Sequence, residues 1–125
     1  MLGIIGSRNF PFEVFNSKIN DVYRYFVPDS VVTGDARGID TYVRNWCEKQ
    51  NIDCQIINCI FPENKSYYLH RNAEIVAYSD VGLIAFWDGM SRGAEFTMDY
   101  AVMRNRKVLV VMSDGIEYWY GENIN

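Results

Sequence analysis

The sequence predicts an α/β protein. The expected architecture is a single three-layer, Rossmann-like domain on a mainly parallel five-stranded sheet, with an extra edge strand possible at the C-terminus. Three observations predict it. Five short apolar runs, at residues 2–5, 30–33, 54–57, 81–86 and 108–112, are continuous rather than alternating, as strands covered on both faces are. Amphipathic helical patterns fill the spaces between them, and strand–helix–strand repeated four times calls for right-handed crossovers with helices on both sides of the sheet. A length of 125 residues suffices for one such core.

Each element follows in order. After the first apolar run, Phe15, Ile19, Val22, Tyr23 and Phe26 share one helical face, and Pro28 closes it. The second run, VVT, leads through GDARG into Ile39, Tyr42, Val43, Trp46 and Cys47, an i, i+3, i+4, i+7, i+8 set. The third helix carries Leu69, Ala73, Val76 and Ala77, and the fourth Ala94, Met98, Ala101, Val102 and Asn105. No linker, repeat or low-complexity stretch divides the chain, so residues 1–125 are expected to form one domain. The tail, residues 115–125, is too short for a domain; its aromatics are expected to pack on the sheet edge or at a subunit contact.

Composition narrows the function. The chain is 49% hydrophobic and 22% charged with a net charge of −4, which argues against disorder and against a broad nucleic-acid-binding face. Three cysteines (Cys47, Cys54, Cys59) without CxxC spacing read as buried thiols, not as a disulfide or zinc framework. No apolar run approaches the roughly 18 residues of a membrane span, and the first strand begins at once, without a targeting segment. A cytoplasmic protein is expected, with no membrane partner.

In folds of this kind the ligand sits beyond the carboxyl ends of the strands. The loops there are Gly6-Ser7-Arg8-Asn9, then Gly34-Asp35-Ala36-Arg37-Gly38, then Trp87-Asp88-Gly89-Met90-Ser91-Arg92-Gly93, and the third leads to His70-Arg71-Asn72 early in a helix. Four of the eight arginines (Arg8, Arg37, Arg71, Arg92) thus map to one edge of the sheet. Helix N-termini supply partial positive charge, glycines let N–H groups approach, and the arginine fork suits phosphate. The combination predicts an anion pocket for a phosphorylated, nucleotide-like small molecule. Asp40 is expected to be structural, accepting loop N–H groups. Asp35, Asp40 and Asp88 could serve as acids or magnesium ligands, although loop aspartates usually cap helices or fix turns.

Several chemistries lack their residues. There is no GxGxxG after the first strand and no GxxxxGK[ST] loop. No histidine–carboxylate cluster suits a catalytic metal, and no cysteine sits beside the single histidine, His70. No metal and no resident cofactor are expected.

The stretches IIGSRNF, VVTGDARGID and LHRNAEIVAYSDVGLIAFWDGMSRGAEFTMDYA together resemble the SLOG superfamily, over roughly residues 2 to 105. That group unites the LOG cytokinin-activating hydrolases, the DprA/Smf DNA-processing proteins and sensor domains for NAD-derived signals. The chain is most similar to its small YspA/YAcAr-like branch. The LOG hydrolases carry an Arg-Lys pair early in one helix and a PGGxGTxxE loop after the next strand. Arg71 matches the arginine, Asn72 replaces the lysine, and Gly93 and Ala94 match the Gly-Thr pair. The catalytic glutamate then falls at Thr97, which has no carboxylate. Glu95 lies two residues earlier, rotated by about 200° on a helix.

The resemblance therefore implies binding rather than turnover: a nucleotide, NAD/ADP-ribose-like or cyclic-nucleotide signal held for sensing or sequestration, as in phage and defence systems. The alternative is a LOG-like nucleoside monophosphate phosphoribohydrolase or related N-glycosidase, using Glu95, Asp88 or Asp35. A DprA-like nucleic-acid partner is the weaker alternative. LOG-type relatives commonly dimerise through helices flanking the site, so a homodimer or higher homo-oligomer is also implied.

Overall fold

The computed structural model describes residues 1–61 and 64–121. Its centre is β1 (Leu2–Gly6), which pairs in parallel with β2 (Val31–Gly34) on one side and with β4 (Gly82–Trp87) on the other. Outward from β2 lies β3 (Cys54–Ile57), and outward from β4 lies β5 (Val108–Met112), both also parallel. The order is completed by β6 (Glu117–Trp119), antiparallel to β5, giving β3-β2-β1-β4-β5-β6. The sheet therefore has six strands, the five parallel ones and the extra C-terminal edge strand. The sixth is the three-residue tail segment that doubles back through the turn at Gly115, whose φ is +89°.

The chain runs outward from β1 to β3, crosses back to β4, and runs outward again. Helices α1 (Phe12–Arg24) and α2 (Ile39–Gln50) cover one face, where Phe15, Ile19, Val22, Ile39, Val43, Trp46 and Cys47 pack on Leu2, Ile4, Val31, Ile84 and Phe86. Helices α3 (Lys65–Tyr78) and α4 (Arg92–Met103) cover the other, where Ile75, Val76, Ala94, Met98 and Ala101 pack on Ile5, Val32, Leu83, Ala85 and Val110. Alternate residues of each strand serve opposite cores, which explains why the central strands are apolar without alternation. The point where the connections change direction, between β1 and β4, leaves a crevice at the carboxyl ends of those strands.

Four expectations need correction. The third apolar run is not covered on both faces: β3 is an edge strand with Gln55 and Ile56 exposed, because no helix packs beyond it. In α3 Arg71, Ile75 and Val76 are buried, Leu69 and Ala73 are half-buried, and Ala77 is exposed, since the helix meets the sheet in a different phase from the expected one. That helix also starts earlier than expected. Asn64 caps it by accepting from the Ser66 N–H at 3.0 Å, so Arg71 sits at mid-helix rather than early in it. In α4, Val102 is exposed and Asn105 lies beyond the helix with φ +61°.

The tail packs on the sheet edge as far as it is described. Glu117 pairs with Lys18 at 3.0 Å, Trp119 meets Phe26 edge-on, and the Tyr120 hydroxyl donates to Asp99 at 2.6 Å. Residues 122–125 of the expected tail lie outside the described residues. Among the described residues, no helix is long and apolar enough to cross a membrane.

Candidate functional site

The crevice is a cavity of about 1010 Å³. Its walls come from the β1–α1 loop, the start of α2, the middle of α3, and the β4–α4 loop with the first turn of α4. Of the residues expected at the site, Gly6, Arg8, Ala36, Arg71, Asn72, Asp88, Ser91, Arg92 and Gly93 line it. Gly6 and Trp87 prove to be the last residues of their strands, and Arg92 and Gly93 the first of α4.

The two loops flanking the crevice are stitched together through Ser7. Its N–H donates to the Phe86 carbonyl at 2.9 Å, and its buried hydroxyl accepts the Asp88 N–H at 3.1 Å. Asp88 then folds the β4–α4 loop by accepting from the N–H groups of Met90 and Ser91 at 2.9 and 2.8 Å. Burial works to raise the Asp88 carboxyl. The two N–H groups and the Ser7 hydroxyl outweigh it and hold the group below the usual carboxylate range. Asp88 is thus an ionised brace for the turn. Trp87 adds a second brace, its Nε1 donating to the Ser91 carbonyl at 3.0 Å, and Gly89 supplies the φ of +83° that the turn needs.

That loop presents the N-terminus of α4. The Ser91 hydroxyl caps the Ala94 N–H, which leaves those of Arg92 and Gly93 without intrahelical partners. A Cβ on Gly93 would meet nothing within 4 Å, so this backbone faces open space in the crevice.

The opposite wall is built around Arg71. It is only 7% exposed, and its Nη1 donates to Asp35 and lies 3.8 Å from Asp40 Oδ2. Nε donates to Asn72 Oδ1 at 2.9 Å. The carboxylates are themselves anchored: Asp35 accepts the Cys59 N–H, and Asp40 accepts the Ala36 N–H and the Thr33 hydroxyl. Asp40 is therefore the structural brace that was expected, seated in the first turn of α2. Burial pushes its carboxyl upward, against the pull of Arg71, Ala36 and Thr33. Gly34 is bare because a Cβ there would lie 2.4 Å from Arg71 Nη1 and 2.5 Å from Asp40 Oδ2.

Arg8 and Arg92 are differently placed. Both are exposed at the mouth, and among the described residues neither is in an ion pair. Arg8 and Arg71 each lie 5.1 Å from the centroid of the Tyr68 ring, which carries their charge to an aromatic surface inside the crevice.

Some assignments from sequence do not join this arrangement. Arg37 is exposed and does not line the cavity, because its loop presents half-buried Ala36 to the crevice and turns at Gly38 against the Arg8 backbone. Glu95 is exposed and also outside the lining, pointing away from Gly93 and Ala94 as its helical phase requires. Thr97 is wholly buried, its hydroxyl donating to the Gly93 carbonyl at 2.8 Å. A carboxylate in its place would enter the α4 core rather than the cavity.

Conversely, Tyr68 and Phe96 line the crevice without having been singled out, as do Asn9 and Met90, named only as members of their loops. Tyr68 precedes Arg71 by three residues and Phe96 follows Gly93 by three. This one-turn spacing from assigned residues was the available signal. Among the described residues no group of three or more His, Cys, Asp or Glu is placed to hold a metal ion.

Comparison with protein-family models matches none of them, and no curated protein matches the chain.

Proposed function

We propose that this chain is a Rossmann-like, SLOG-type domain that binds a nucleotide or nucleotide-derived signal in the crevice between β1 and β4, and that binding, for sensing or sequestration, is its output. One observation carries the reading. The Tyr68 ring, flanked by Arg8 and Arg71, stands across one cavity from the open first turn of α4 with Arg92. An aromatic face suits a base, and a helix N-terminus with unpaired arginines suits phosphate. A cavity of about 1010 Å³ is at the upper end of the range for small-molecule sites.

Hydrolysis is the second reading and has less to support it. Cleaving an N-glycosidic bond requires a placed acid or base near oxocarbenium-like charge. Thr97 is buried, Glu95 lies outside the lining, one Asp88 oxygen accepts two loop N–H groups, and Asp35 is engaged by Arg71 and the Cys59 N–H. The acidic balance disfavours the nucleic-acid reading.

Calorimetry with AMP, ADP, cyclic nucleotides, NAD and ADP-ribose tests the proposal. At least one is expected to bind tighter than about millimolar, equivalent to about 4 kcal/mol. Chromatography after heating the complex is expected to recover that ligand intact. No binding across the panel sinks the reading, and release of free base with sugar phosphate replaces it with the hydrolase. Light scattering tests the accompanying expectation of a homodimer or higher oligomer.

A further inference from the structure

A second, smaller hollow of about 490 Å³ lies where α2 ends and β3 begins, away from the crevice, and Arg44, Cys47, Glu48, Asp53 and Cys54 are among its lining residues. The local backbone explains why the two cysteines meet. Helix α2 stops at Asn51, whose φ of +58° is left-handed; its N–H donates to Glu48, and the Ile52 N–H reaches back to the Cys47 carbonyl at 2.9 Å. This paired closure is a Schellman turn. It reverses the chain so that Cys54, the first residue of β3, returns beside Cys47.

We propose that Cys54 and Cys47 form a reversible thiol–disulfide site, with Cys54 the nucleophile toward a hydroperoxide and Cys47 the resolving thiol. Two observations carry it. Cys47, buried, and Cys54, half-buried, line the same hollow, brought there by the reversal at Asn51. The Arg44 guanidinium lines the same hollow, and its Nε is a buried donor with no partner among the described residues. A thiolate formed in that hollow would share it with a guanidinium, as reactive cysteines require.

The electrostatics agree in direction. The Cys47 hydrogen bond holds the Cys54 thiol low, burial opposes this, Arg44 helps and Asp40 opposes. The same hydrogen bond and burial push Cys47 up, so it stays protonated as the donor. The other titratable groups facing the pair are Glu48 and Asp53 at the hollow and Tyr23 from α1.

The chemistry balances without further reagents. The Cys54 thiolate attacks one peroxide oxygen, the O–O bond breaks, and the other oxygen leaves as hydroxide or alkoxide, giving a sulfenic acid. Cys47 gives up its proton and its sulfur attacks the Cys54 sulfur. The S–O bond breaks, water leaves, and the disulfide forms. The peroxide takes the electron pair that the thiols lose, and an external dithiol returns it.

The test is peroxide treatment of the full chain at neutral pH, trapping of free thiols with N-ethylmaleimide, and peptide mapping by mass spectrometry. The expected product has Cys47 and Cys54 linked, Cys59 alkylated, and is reversed by dithiothreitol. Cys47→Ser is expected to stop at the oxyacid on Cys54. Arg44→Gln is expected to slow iodoacetamide labelling of Cys54 about tenfold, the effect of about one pH unit in the thiol's titration. Unlinked Cys47 and Cys54 after peroxide treatment of the unaltered chain would overturn the proposal, as would labelling of Cys54 no faster than a cysteine in the urea-unfolded chain. Both readouts on the unaltered chain stand even if a variant fails to fold.

Discussion

Arg71 donates from its Nη1 to the Asp35 carboxylate while only 7% of the residue is exposed, and Asp40 stands 3.8 Å away on the same nitrogen. An arginine expected from sequence to hold an anionic ligand is thus already neutralised within the fold. Its main effect is to join α3 to the β2–α2 loop, and so to set the shape of the crevice wall.

Removing that cation leaves two carboxylates facing each other in a site with little water. Arg71→Met is expected to destabilise the protein by about 3–5 kcal/mol, the range for breaking a buried pair from one side. Urea denaturation measures it. An effect within about 0.5 kcal/mol, typical of a surface position, would show that the cluster is not structural.

Ligand affinity should depend on the arginines at the mouth. Arg8→Ala and Arg92→Ala are each expected to weaken an anionic ligand by about 1.5–3 kcal/mol, as for hydrogen bonds to charged groups. Arg37→Ala is expected to change little, since Arg37 does not line the cavity. Titration calorimetry of the three variants separates these roles, and a reversed ranking would move the phosphate position to the β2–α2 loop.

Two glycines should respond oppositely to alanine. Gly38 has φ +82°, and its Cβ would lie 2.3 Å from the Arg8 carbonyl oxygen, so Gly38→Ala is expected to cost about 1–3 kcal/mol. Gly93 is helical with open space around it, so Gly93→Ala is expected to stabilise the free protein by about 0.4–1 kcal/mol. The added methyl would nevertheless obstruct close approach of a phosphate to the α4 N-terminus. Thermal melts with and without ligand would show both effects, and undiminished affinity in Gly93→Ala would exclude that approach.

Acid titration should separate two aspartates. Asp40 is held above its unfolded value, near about 3.9. The native state therefore binds the extra proton in the window above about pH 3.9, where this group's contribution improves as pH falls. Asp88 is held below its unfolded value, so its contribution is present above about pH 3.9 and lost as pH falls through its native value. Asp40→Asn is expected to alter the slope of stability above about pH 3.9, and Asp88→Asn the slope below it. Denaturation midpoints across acid pH test the division.

Alkali should act on the tail. Tyr120 donates to Asp99, and that hydrogen bond, with burial and the aspartate charge, pushes the phenol up to about 12. The unfolded value is about 10, so the stability from this pair is complete below about pH 10 and lost as pH rises through about 12. Ultraviolet difference titration should show a tyrosine ionising near about 12 that Tyr120→Phe lacks.

The sheet, the helix sequence and the placement of Gly6, Ser7, Arg8, Asp88, Arg92 and Gly93 were legible from sequence. Continuous β-formers, turn glycines and 3.6-residue periodicity are local signals, and a parallel α/β sheet leaves few ways to connect them. Even the brace at Asp40 could be inferred, since it accepts from Ala36 four residues away. Three matters were decided only by tertiary structure. Arg71 became a structural cation because the fold brings it to Asp35, 36 positions away in sequence, across α2, β3 and the loops that join them. Arg37 left the site and Tyr68 entered it because helix phase and loop direction are set by packing. The tail became a sixth strand because β5 offered an unpaired edge with Trp119 seated near Phe26. Local sequence determines which elements form and which end of the sheet carries the chemistry. Which charges remain available for a ligand depends on long-range pairing, because a buried guanidinium will take any carboxylate that the fold brings within reach.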